Sequence, residues 1–172
     1  MKNWIPIPGS VKAKILNLAV HAFSAKGYKG VHVKQLAEEA GVTTGAIYHH
    51  FGSKEQLYSI VREEMERRII DRMEGAAAVI EDQAESIHGA ILVGFDATVK
   101  LKASKLLGED SQNGEPDRIE EFLQSIEPED ARGVSVILKA AFRSALLATA
   151  EERISVEDAR NALSWLFKKD RR

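Results

Sequence analysis

The 172-residue chain has no cysteine, which removes disulfide scaffolds, thiol catalysis and Cys-ligated zinc together. Glycine (12) and proline (4) are too few for a collagenous or linker-dominated chain. The longest apolar stretch, around Ala90–Phe95, falls far short of the roughly 18 residues that span a bilayer. Met1–Gly9 carries no basic–apolar–small cleavage pattern, so no export is expected. H-E-x-x-H, a Gly-rich phosphate loop and G-x-S-x-G are also missing, and no enzyme, cofactor or metal is expected. These absences leave a soluble cytoplasmic protein whose 44% hydrophobic residues suffice for a sizeable core.

The net charge of −2 conceals an asymmetry. Residues 1–58 hold seven lysines against three acids, and four of the five histidines; residues 59–172 hold seventeen basic and twenty-three acidic residues. A basic head on an acidic body suits a polyanion met by the N-terminal third, although chance sampling gives the same asymmetry.

Hydrophobic spacing is helical nearly throughout, and no strand pattern or repeat is present. Ser10 is a candidate N-cap, followed by Ile15, Leu18, Ala19, Ala22 and Phe23 on one stripe, with Gly27 placed to stop the helix. A short helix fits Val33–Ala40 and ends at Gly41; Thr43 caps another that runs to about His50. Ser53 and Gln56 form a capping-box pattern opening a helix to about Met73. Ile80, Ala84, Ile87, Ile91 and Phe95 predict one helix as far as about Leu107, and Gly108–Asp117 reads as a mobile polar loop. After short helical material around Ile119–Ser125, a helix is predicted from Pro128 through Ala150, weakened only locally by Gly133; Ser155 caps a last one ending near Lys169.

Val31–Lys54 carries the functional signal. Two short helices joined at Ala40-Gly41-Val42 fit a helix-turn-helix, with Gly41 supplying the turn's backbone angles. Such modules place the first residues of the second helix against base edges in the major groove. Here those are Thr43, Thr44, Gly45 and Ala46.

Residues 10–54 resemble the DNA-binding domain of the TetR (tetracycline-repressor-like) family of bacterial transcription regulators. Phe23, Gly27-Tyr28, Leu36-Ala37, Ala40-Gly41-Val42, Gly45, Ile47-Tyr48, His50-Phe51, Lys54 and Leu57 carry the resemblance. It implies an all-α fold. Residues 1–52 would form a three-helix DNA-binding domain, the helix over 53–73 a connection, and residues 74–172 a body that dimerises and binds an effector. It also implies a homodimeric repressor, released from a palindromic double-stranded operator by a small molecule. A DNA-binding dimer controlled by a protein partner or by concentration is the alternative.

Tyr48, His49 and His50 follow the base-reading positions, where hydroxyl and imidazole donors reach phosphate oxygens; Lys54 opens the next helix, where its cation and free N–H groups grip a phosphate. With no Arg, Lys, Asn or Gln on the reading face, no bidentate contact to guanine or adenine comes from that helix. Lys34 matches a position where relatives often carry a base-contacting Arg, and reads equally as a solvated lysine. His32 stands where the family pattern usually has Thr or Ser; if protonated it draws phosphate, so DNA binding is expected to tighten toward mildly acidic pH. Lys2, Lys12 and Lys14 read as a basic arm that reaches a flanking minor groove or, the favoured reading, merely screens charge.

The last two helices match the place where the family builds its four-helix dimer interface. The faces Val134, Ile137, Leu138, Ala141, Ala145, Leu146 and Ala159, Ala162, Leu163, Leu166 hold small residues that permit close approach, or belong to the intrachain core. For an effector, the residues singled out are His88, Phe95, Asp96, Phe122, Phe142 and Trp165, polar or aromatic in apolar stretches. Asp96 must be paired, snorkelled or pocket-facing. A body of about 98 residues is short for the family, and a large cavity is not expected.

Overall fold

The structure, a computed structural model, describes residues 9–110 and 116–168. Among these residues the regular structure is entirely helical: α1 Val11–Gly30, α2 Val33–Ala40, α3 Thr44–Phe51, α4 Lys54–Ala77, α5 Gln83–Lys100, α6 Ser104–Gly108, α7 Arg118–Ser125, α8 Val134–Ala150 and α9 Val156–Trp165, with a 3-10 turn at Glu129–Ala131. Most starts are made by the residue types that accept from free N–H groups. Ser10 Oγ accepts from Ala13 N (3.2 Å), Thr43 Oγ1 from Ala46 N (3.1 Å) and Ser53 Oγ from Gln56 N (3.1 Å). Asp82 caps α5 and Asp117 caps α7 in the same way.

α1, α2 and α3 pack through Ile15, Ala19, Phe23, Leu36, Ala37, Ala40, Ile47 and Phe51, all buried. Burial of a side chain such as Phe23 contributes about 1.5–3 kcal/mol relative to leaving it in water. α4 runs from this head into the body. Leu57, Tyr58 and Val61 face the head, whereas Met65, Ile69 and Met73 join Ile87, Ile91, Phe95, Phe142 and Leu146 in the continuous apolar core. Tyr58 holds the junction, its ring edge-on to Phe23 (centroids 5.1 Å apart) and Tyr28 (5.2 Å).

Several helix limits differ from the sequence expectation. Gly27 does break the first helix, taking φ 67° and ψ −176°, but one further turn beyond the kink carries α1 on to Gly30. α4 passes Gly75 and ends at Ala77; Gly75 has nothing near its missing Cβ, so it costs only the ~1 kcal/mol of an exposed helical glycine. The predicted helix reaching Leu107 is two, because Leu101–Ala103 turns with Lys102 at φ 56°, swinging α6 back against α1 and α8. The predicted helix from Pro128 is also divided, since Gly133 adopts φ 87° and α8 begins only at Val134. At Ser53 half of the capping box forms: its N–H donates to Phe51 O (3.0 Å). The end of the last predicted helix near Lys169, Lys2 of the basic arm, and 111–115 of the polar loop lie outside the described residues.

The two C-terminal faces divide between inside and outside. Leu138, Ala145, Leu146, Ala159 and Leu163 are intrachain core, whereas Ile137, Ala162 and Leu166 are exposed, beside Val136 and Trp165.

Candidate nucleic-acid interface

α2 ends in a Schellman turn, which determines where α3 points. Gly41 sits at φ 66°, ψ 35°, its N–H donating to Glu38 O (3.1 Å), and Val42 N donates to Ala37 O (2.9 Å). A left-handed residue is needed there, and glycine adopts it without a Cβ penalty. Val42 packs half-buried against the core. Ile47 and Phe51 anchor the inner face of α3, so the positions between them face away from the core.

That outward face carries the predicted residues. Thr43, Thr44, Gly45, Tyr48 and His49 are exposed; Ala46 and His50 are half-buried, the His50 ring against Phe51 (6.2 Å). Thr43 spends its hydroxyl oxygen on the α3 cap, so its remaining donor is the O–H. His32 stands at the N-cap of α2 but makes no side-chain cap bond, and it is exposed with Lys34 beside the turn. Thus α2 and α3 bring nine of the ten DNA-facing candidates together.

Lys54, the tenth, lies at the start of α4 with its Nζ 4.3 Å from the Tyr28 ring centroid, a cation–π contact that directs the ammonium. Partial burial there lowers its pKa, opposed by the Glu55 charge. Tyr28 Oη donates a short hydrogen bond to the Glu55 carboxylate. That bond holds Glu55 down at about 2 and, with burial and the adjacent negative charge, pushes the Tyr28 phenol up to about 12.

The basic-arm expectation needs correction at Lys12 and Lys14. Both sit in the first turn of α1, capped by Ser10. Lys12 Nζ is 5.9 Å from the Phe51 ring centroid, and Lys14 Nζ is 3.8 Å from where a Cβ on Gly41 would stand. The two cations therefore stand beside the helix-turn-helix instead of trailing from it. The Ser10 cap signal already contained this, because a helix starting at residue 11 takes both lysines into it.

The six effector candidates do not converge. Phe95 and Phe142 are fully buried core and Phe122 is nearly so. Trp165 is 66% exposed. Asp96 is paired, its two carboxylate oxygens each 3.0 Å from Arg160 Nε, at the surface of α5 and α9. His88 stacks on Phe167 (4.8 Å) and bonds Ser164 Oγ through Nε2 (3.2 Å), with Glu85 3.5 Å from Nδ1. This acid–His–Ser order resembles a hydrolytic triad, yet Ser164 lies in the last turn of α9. The amides of Leu166 and Phe167 there are committed to the carbonyls of Leu163 and Ser164, leaving neither as an oxyanion donor. A polar cleft of about 290 Å³ opens between α4, α7 and α8, lined by none of the six. No described group of three or more His, Asp or Glu residues is placed to hold a metal ion, and no described helix is long and apolar enough to cross a membrane.

Comparison with known proteins agrees with this geometry. Residues 15–60 match the model of the bacterial regulatory proteins of the tetR family. The chain is 33% identical over 107 residues to the HTH-type transcriptional repressor KstR2 of Mycolicibacterium smegmatis, covering 60% of this chain and 50% of that relative. It thus spans about half the length of that curated relative. Its fold is similar to a putative TetR-family regulator from Syntrophomonas wolfei (TM-score 0.71, 18% identity, 91% of this chain and 92% of that one). It is also similar to the regulator FadR of Bacillus subtilis, solved in complex with stearoyl-CoA (TM-score 0.69, 18% identity, 90% and 96%). Residues 15–60 thus carry the helix-turn-helix domain of the tetR family of bacterial regulatory proteins, on a chain whose fold is similar to that of TetR-family structures.

Proposed function

We propose that this chain is a homodimeric, sequence-specific DNA-binding repressor, released from a palindromic operator by a small-molecule effector. The supporting observation is the exposed face of α3. Thr44, Gly45, Tyr48 and His49 face away from the core at the end of a rigid Schellman turn, flanked by Lys12, Lys14, Lys34 and Lys54. This division suits the chemistry of a duplex: cations and hydroxyls hold the phosphates, while the threonine methyl and Ala46 meet thymine methyls. The thin donor set on α3 implies that shape and phosphate contacts supply much of the affinity.

Dimerisation is assigned to the apolar residues that α8 and α9 leave outside, chiefly Ile137 and Trp165, each 66% exposed, with Val136, Ala162 and Leu166 beside them. A two-fold axis there presents two α3 helices to successive major grooves, about 34 Å apart. Residues 1–52 act as the DNA-binding domain, 53–73 as the connection and 74–172 as the effector and dimer domain.

Retention of genomic fragments on the purified protein, sequencing, and fluorescence anisotropy of the best fragment across a salt series test this. A palindrome, two or four chains per site and a steep log–log salt slope are expected. Weak retention indifferent to sequence would overturn specific recognition. Specific binding that no small molecule relieves would leave the dimer controlled by a protein partner or by concentration.

A further inference from the structure

Arg62 of α4 and Arg143 of α8 are 3% and 5% exposed and stand side by side at the wall of the polar cleft. Two buried cations at this separation repel, and Arg62 lowers the pKa of Arg143 in addition to the effect of burial. Glu66 accepts from Arg62 Nε (2.9 Å) and from Arg143 Nη2 (3.5 Å), and Asp117 Oδ2 lies 2.5 Å from Arg143 Nη2. At the rim, Arg118 is paired with Glu63. Even so, Nη2 of Arg62 and Nε of Arg143 have no hydrogen-bond partner among the described residues. Buried N–H groups are nearly always bonded, so two orphans on adjacent guanidiniums mark a place built for a further acceptor. Both orphans are donors on residues that line the cleft, so the missing complement is a hydrogen-bond acceptor rather than a cation.

The size and lining of the cleft narrow the class further. About 290 Å³ is the lower end of small-molecule sites, which run to ~1,000 Å³. Its walls include Arg62, Glu66, Asp117, Arg118, Glu121 and Arg143, so an alkyl chain entering it would strip water from charges. A compact polar molecule fits.

The same arginines hold the end of α6. Nη1 of Arg62 donates to the carbonyls of Leu106 (2.9 Å) and Glu109 (2.7 Å), and Nη1 of Arg143 also donates to Glu109 O (2.7 Å). Cations at a helix C-terminus are favoured by its dipole. The Glu109 side chain then crosses to the head, where Oε2 accepts from Tyr28 N (2.9 Å) beside the Gly27 kink. One residue is thus gripped by the cleft through its backbone and grips the DNA-binding head through its carboxylate.

We propose that the cleft binds a small anion, a carboxylate or phosphate group of a compact polar molecule, on the Arg62–Arg143 pair, and that Glu109 relays its binding to Gly27–Tyr28. The relay rests on the reading of this chain as a DNA-binding regulator; the anion site does not. Asp117 occupies Arg143 in the absence of the anion and is the group displaced. As the arginines turn toward the ligand they slacken on Glu109 O, and the carboxylate at the kink loses its anchor.

The test titrates the full chain with inorganic phosphate and, separately, succinate, following the Nε–Hε NMR signals of Arg62 and Arg143 and the hydrogen exchange of the Tyr28 amide. Asp117→Asn keeps the α7 cap, since asparagine caps as well as aspartate, but removes the competing charge. Saturable movement of both arginine signals is expected, with a midpoint at least threefold lower in Asp117→Asn and faster Tyr28 exchange at saturation. A response to one anion alone supports the site and assigns its class. The site is overturned if neither anion moves the arginine signals in either protein, or if only head signals such as His49 and Lys54 move. Arginine movement with unchanged Tyr28 exchange overturns the relay. Operator binding measured without added anion fails separately, refuting the regulator reading while leaving the anion site intact.

Discussion

Gly27→Ala is the most incisive single substitution for the junction between head and body. Gly27 has φ 67° and ψ −176°, a region that residues with a Cβ enter at a cost of roughly 1–3 kcal/mol. The added methyl would also collide with the Glu109 carboxylate, whose displacement breaks the 2.9 Å bond to Tyr28 N. A hydrogen bond to a charged group contributes about 1.5–3 kcal/mol. Against these, alanine narrows the unfolded ensemble and returns about 0.5 kcal/mol. The net loss is therefore about 2–5 kcal/mol, or a fall in Tm of roughly 4–20 °C at ~2–4 °C per kcal/mol. Gly75→Ala is the matched control, because its Cβ meets nothing within 4 Å and the change should stabilise by about 0.5–1 kcal/mol. Urea unfolding followed by circular dichroism reads both. Repeating Gly27→Ala in a Glu109→Ala background separates strain from the lost bond, and the cost there should shrink to the strain alone. A loss below ~1 kcal/mol in the natural background would show that neither the kink nor the Glu109 contact constrains the junction.

Three other perturbations address the remaining surfaces. Ile137→Asp puts a charge into the exposed α8–α9 patch and should convert the proposed dimer to monomer in sedimentation equilibrium, with the circular dichroism of the folded chain retained. Lys14→Ala should lower the log–log salt slope of DNA binding by about 1, uniformly across sequences, as expected for one phosphate contact. Tyr28→Phe removes the hydroxyl that holds the Glu55 carboxyl down, so its titration, followed by NMR, should move from about 2 back toward 4.5. The sign follows: a depressed folded pKa stabilises above the unfolded value, and this contribution is lost as pH falls from 4.5 toward 2, in the tyrosine protein only.

What the sequence by itself determined is local. The head's helices were legible because capping residues and apolar spacing act within one or two turns: Ser10, Thr43 and Ser53 each accept an N–H three residues on, and Gly41 closes α2 on its own last carbonyls. The exposed face of α3 follows from the same periodicity, since Ile47 and Phe51 must face inward. In the body, spacing found the helices but not their breaks. Lys102 and Gly133 turn the chain with positive φ inside stretches whose apolar pattern continues, and a pattern records burial rather than direction.

The tertiary structure alone decided whatever depends on partners distant in sequence. Asp96 meets Arg160 across 64 residues, which sends an acid from an apolar stretch to the surface. Glu109 meets Tyr28 across 81 residues, which makes the helix break at Gly27 a junction with the body as well. Arg62 and Arg143 look like ordinary solvated arginines in their own helices, and only the approach of α8 to α4 buries them together against the end of α6. Charge chemistry of this kind is invisible to periodicity. Its energy lies in the loss of water around two cations, and that loss exists only once the helices have packed.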